Sequence, residues 1–117
     1  MGLLTSANAI LQSDDFRYEE IEVPEWGGSL RLKSLSGTER TAVIRMLNQK
    51  KDTVDGVYEK VIIFSAVDAD GRKIFEDNQS TLSILQGKDA GVTQRIAMKA
   101  LELSGLGPNS KDDAEKN

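Results

Sequence analysis

Ile21-Glu22-Val23-Pro24-Glu25-Trp26-Gly27-Gly28-Ser29-Leu30-Arg31-Leu32 is the stretch that decides the fold. Ile21 and Val23 alternate with Glu20 and Glu22, and Leu30 and Leu32 alternate with Arg31 and Lys33. A period of two turns one face of each strand inward and the other toward water. Pro24 cannot donate to a ladder, so the first strand ends there, and Gly27-Gly28 supplies the positive φ that the turn needs. Residues 16–35 therefore read as a β-hairpin. Its outward faces are acidic on the first strand and basic on the second, which makes cross-strand pairs of opposite charge available.

C-terminal to the hairpin, Ser36-Gly37-Thr38-Glu39 is a capping box: a serine whose hydroxyl accepts at the helix start, with a glutamate three residues on. Val43, Met46, Leu47 and Lys50 follow at helical spacing, which predicts a helix over about 37–50. Residues 53–67 admit two readings. Val54, Val57, Tyr58, Val61 and Ile62 fit the helical template, yet Val61-Ile62-Ile63-Phe64 is rich in β-branched residues and suits a buried strand. Asp68-Ala69-Asp70-Gly71 signals a turn, and Lys73-Ile74-Phe75 a short extended piece. Asp77 or Asn78 caps a short helix with Leu82 and Leu85 that Gly87 ends. Asp89 caps a last helix with Val92, Ile96, Ala100 and Leu103 on one face. Gly105 as a left-handed residue brings Leu106 onto Leu101 in a Schellman motif, and Pro108 blocks continuation.

The fold class is thus α+β and mostly α-helical, an N-terminal hairpin followed by about four helices. Residues 1–15 form an N-terminal arm whose apolar stretch runs from Ala7 to Leu11. Whether that stretch is a frayed helical turn or an ordered arm stays open. Residues 16–107 make one globular domain, with the hairpin at 16–35 and the helical part at 37–106. Residues 108–117 are almost wholly polar and read as a flexible tail.

Composition excludes more than it assigns. There is no cysteine, hence no disulfide and no thiolate metal site, and no histidine, hence no imidazole base or ligand. No catalytic residue, cofactor site or metal site is expected. Asp68 and Asp70 fail as a calcium loop because position 79, where the closing glutamate belongs, is Gln79. Gly27-Gly28 precedes a strand and lacks the lysine of a phosphate loop. The acidic clusters lie in polar stretches that suit a solvated surface better than a pKa-tuned pair. A net charge of −4 carries no basic footprint for nucleic acid. The longest apolar run, Val61 to Phe64, is far too short for a bilayer, and no signal peptide is read, so a cytoplasmic location is expected.

What remains is binding. Trp26, the single tryptophan, sits at the hairpin tip either as an aromatic anchor for a partner or folded back on its own core. The apolar helical faces are most simply core, and a stripe left exposed would mediate self-association. Trp26, Val57, Val61 and Phe64 are the candidate interaction residues.

Four pieces resemble the tail assembly chaperones of siphophages. They are Val23 to Leu32 running into Leu35-Ser36-Gly37-Thr38-Glu39-Arg40; the apolar segment ending Val67-Asp68-Ala69-Asp70-Gly71, then Phe75; Leu103-Ser104-Gly105-Leu106-Gly107; and the ending Ala114-Glu115-Lys116-Asn117. Their order and spacing cover residues 16–117. The resemblance implies a non-catalytic protein of the infected cell's cytoplasm, absent from the mature virion, that engages the tape measure protein and helps tail-tube subunits polymerise around it. It implies self-association, and a longer product made by programmed ribosomal frameshifting near the end of a shorter frame. It carries over no residue-level site. The rival reading is a structural component of the virion, a minor tail or head–tail joining protein.

Overall fold

The computed structural model describes residues 2–48 and 56–106. The last two residues of the expected helix at 37–50, the start of the ambiguous 53–67 segment and the expected tail at 108–117 lie outside the described residues.

The hairpin is built as its alternation dictates. Strand β1 (Tyr18–Val23) pairs antiparallel with β2 (Gly28–Lys33), Ile21 opposite Leu30 and Val23 opposite Gly28. Between them Pro24–Trp26 forms a single 3-10 turn, closed by the Gly27 N–H donating to the Pro24 carbonyl at 3.0 Å. Gly27 takes the positive φ, +87°, and Gly28 belongs to β2. Val23, Leu30 and Leu32 are buried, and Ile21 packs against the same core.

The outward charges do not pair across the hairpin as the sequence suggests. Glu20 stands opposite Arg31, but the Arg31 guanidinium lies 4.5 Å over the Tyr18 ring and donates to the Ala69 carbonyl at 2.9 Å. Lys33 likewise sits 4.2 Å over Phe16. A flat aromatic neighbour on the same sheet face offers both packing and a π surface to a long cationic side chain.

The helices follow in order: α1 (Ala7–Gln12) before the hairpin, then α2 (Gly37–Leu47), α3 (Val57–Ser65), α4 (Gln79–Gln86) and α5 (Ala90–Leu103). Ser36 caps α2 with both halves of the capping box in place, and the second Glu39 carboxylate oxygen meets Lys73. Asn78, not Asp77, caps α4, and Asp89 caps α5. At the end of α5 the Leu106 N–H donates to the Leu101 carbonyl at 2.8 Å and the Gly105 N–H to that of Glu102 at 3.1 Å, with Gly105 at φ +78°. That pair of bonds is the Schellman closure.

The ambiguous segment is both elements in turn. Val57 to Ser65 is helix α3, and Ala66–Val67 is a short strand, β3, antiparallel to β2 with Arg31 opposite Val67. Helix α3 packs on α5, α2 and α4, so six of its nine residues are buried. A helix enclosed on three sides needs apolar residues around most of its circumference, so Ile63 and Phe64 are buried beside the periodic Val57, Val61 and Ile62. Packing on this scale overrides the weak strand preference of Val61, Ile62 and Ile63. Helix α5 also lies against β1 and β2, so the core is the space between sheet, α3 and α5, with Leu32, Val61, Ile62 and Ile96 wholly buried. Ser104 ties the layers together: its hydroxyl accepts from the Leu35 N–H at 2.9 Å and donates to the Ala100 carbonyl at 2.8 Å.

Candidate functional site

The hairpin tip is held rigidly. Pro24 fixes the entry of the 3-10 turn and Gly27 its exit, so Trp26 is set between them with little freedom. Arg95 on α5 grips the tip from the side, Nη1 and Nη2 bonding the two Glu25 oxygens at 3.0 and 2.8 Å. Those bonds hold the Glu25 carboxyl down to about 2 and raise the Arg95 guanidinium. One helical turn on, Lys99 pairs with Glu19 at 3.0 Å, and that hydrogen bond raises the Lys99 ammonium. Glu19 of β1 and Glu25 of the tip are thus matched by α5, while Glu20 and Glu22 form no ion pair among the described residues.

Trp26 is half-buried and packs against the core. On one side it lines a cleft of about 210 Å³ with Val23, Leu30, Ile74 and Phe75. On the other it borders a shallower one of about 400 Å³ with Glu25, Lys88, Asp89 and Val92. Ile74 is 47% exposed beside the first. The tip therefore folds back on its own core and still shows an aromatic edge between an apolar cleft and a charged one, an arrangement suited to holding an apolar side chain.

Val57, Val61 and Phe64 lie elsewhere and face inward. All three are buried members of the core around α3. The Phe64 ring is flanked by the Lys60 and Lys73 ammonium groups at 5.4 and 5.3 Å, which in turn meet Asp77 and Glu39. The structure does not bring these residues together with Trp26 as one surface.

The apolar side chains that do reach solvent were not singled out by sequence. Leu3, Leu4, Ile10 and Leu11 of the arm are exposed at 90, 73, 49 and 82%, and no residue of α1 is buried. Ile44 and Leu47 open onto solvent from α2. Leu47, expected to join Val43 and Met46 on the core stripe, is 53% exposed, because it lies at the edge of the buried face. The helical period alone could have raised the arm as a candidate, since Ala7, Ile10 and Leu11 share a face. Among the described residues no group of three or more carboxylates is placed to hold a metal, and no helix is long and apolar enough to cross a membrane.

A family profile described as phage tail assembly chaperone matches residues 5–117. The chain belongs to the phage tail assembly chaperone family. No curated protein matches it. Among solved structures, that of the bacteriophage HK97 tail assembly chaperone is similar at 21% identity and a TM-score of 0.56, over 82% of this chain and 90% of that one. At that identity the likeness is one of fold.

Proposed function

We propose that this protein is a non-catalytic tail assembly chaperone that binds the tape measure protein and assists polymerisation of the tail tube around it. It self-associates, works in the host cytoplasm and leaves before the virion is complete. The observation that carries this reading is the family match across residues 5–117. Exposed apolar side chains on the arm and on α2 support it, because a transient binder of an apolar client needs unburied apolar surface of its own.

The test is a pull-down with tagged protein from phage-infected cells, compared by mass spectrometry with purified particles. Tape measure protein in the pull-down and no trace of this chain in particles is the expected result. Stoichiometric presence in particles would replace the chaperone with a structural tail component. The same spectra report whether a longer, frameshifted product carries this chain at its start.

A further inference from the structure

Helix α1 is six residues long and has no buried residue. An isolated helix of that length has no source of stability in water, since nucleation is costly and packing is what normally offsets it. Its side chains nevertheless have a consistent face. Ala7, Ile10 and Leu11 lie on one side, Asn8 and Gln12 on the other, and Leu3 and Leu4, in the non-helical stretch before Ser6, add two more exposed apolar side chains. A segment with this pattern is built to be covered.

The arm, residues 1–15, carries Asp14 and Asp15 and no basic residue, and β1 behind it adds further acids. Residues 1–22 hold Asp14, Asp15, Glu19, Glu20 and Glu22 against Arg17 alone, which accounts for the entire net charge of −4, and residues 23–117 hold equal numbers of acids and bases. Whatever covers the arm is apolar with basic flanks. Such a surface is present on this same chain. Arg40, Ile44 and Leu47 fall at i, i+4 and i+7 along α2, all exposed, with Arg45 beside them. Among the described residues neither arginine is in an ion pair.

We propose that the arm of one copy docks on the Arg40–Ile44–Leu47 face of α2 in a second copy. The inference rests on the self-association proposed above and names the two surfaces that carry it. The chain's own α2 is not the occupant. The root of the arm is pinned by Asp14, whose carboxylate accepts from the Phe16 N–H at 3.1 Å and the Tyr18 hydroxyl at 2.9 Å, and from that root α1 leaves the body with every residue exposed. Each copy offers one arm and one face, so two copies close a dimer by exchanging arms, or the contact runs on head to tail.

Sedimentation velocity on the full chain tests this with two variants, Ile10→Asp/Leu11→Asp in the arm and Ile44→Asp/Leu47→Asp on α2. All four positions are exposed, and an unchanged thermal midpoint verifies that each variant folds. Wild type is expected to associate, and each variant to weaken association by about tenfold or more per residue removed from the contact. An equimolar mixture of the two variants restores one intact arm–face pair and should give dimers and nothing larger. Failure to fold does not produce that rescue. Association of either variant like wild type, a monomeric wild type, or a mixture that stays monomeric would overturn the proposal. Capture of tape measure protein is scored separately: an arm variant that assembles normally but loses the client makes the arm a client ligand, while loss of the client with the rescue intact sinks the chaperone reading and leaves the docking in place.

Discussion

Helices α1 and α3 are both short, both contain runs of apolar residues, and meet opposite fates. Helix α3 is enclosed by α2, α4 and α5, and Val61, Ile62 and Ile63 are at most 1% exposed. Helix α1 has no buried residue, and Leu11 is 82% exposed. The contrast shows that an apolar stripe has no fixed meaning until its neighbours are known. The stripe with the greater apolar content became core, and the weaker one stayed on the surface. Interaction surface in a small domain is what remains after the core has taken its share.

The sharpest way to break the comparison is a matched truncation. Ile62→Ala should cost about 2–5 kcal/mol in urea unfolding, the range for deleting a fully buried branched side chain. Leu11→Ala, an equal change in chemistry, should move stability by less than about 0.5 kcal/mol. A comparable loss from both would mean that α1 is part of the core.

Next in size is the entry to α3. Gly56 holds φ +84° at its N-cap, and a Cβ there would sit 3.3 Å from Leu82 Cδ1. Gly56→Ala is expected to cost about 1–2 kcal/mol in the same measurement, from left-handed strain and the shifted Leu82. Within α3, Ser65 is wholly buried and its hydroxyl has no hydrogen-bond partner among the described residues. Ser65→Ala removes an unsatisfied group, so stability should stay level or rise by up to about 1 kcal/mol.

How much of this was legible in sequence follows from how local each signal is. The hairpin, the Ser36 capping box and the Gly105 closure are decided by a few neighbouring residues, and each is found where the pattern puts it. Val57 to Val67 admitted two readings because its helical period runs into the β-branched stretch Val61 to Ile63, and because the chain changes from helix to strand at Ala66. The partners of Glu19 and Glu25 were hidden for a different reason. Arg95 lies 70 residues from Glu25 and Lys99 about 80 from Glu19, and tertiary packing brings both alongside the hairpin. Of the two readings of Trp26 the structure shows the ring packed on its own core, with its edge between two clefts.

The smallest expected effect concerns the tip. Because the Glu25 carboxyl is held at about 2, below its ordinary value of 4.5, its bond to Arg95 favours the folded state fully above the ordinary value. That contribution is lost as pH falls from about 4.5 through 2. Both side chains are nearly half exposed, so the effect is small and screened by salt. Wild type and Arg95→Ala should therefore differ slightly in thermal midpoint at pH 7 and converge at pH 2. A gap that widens on acidification would contradict the assignment.

Hydrogen–deuterium exchange, read by peptide across a dilution series, tests the division between the two helices most directly. The amides of α3 should be protected at every concentration, exchanging through global unfolding. Those of α1 should exchange at nearly the intrinsic rate when the chain is dilute and gain protection as it associates. Strong protection of α1 in the dilute monomer, or none gained in the assembled state, would contradict the account.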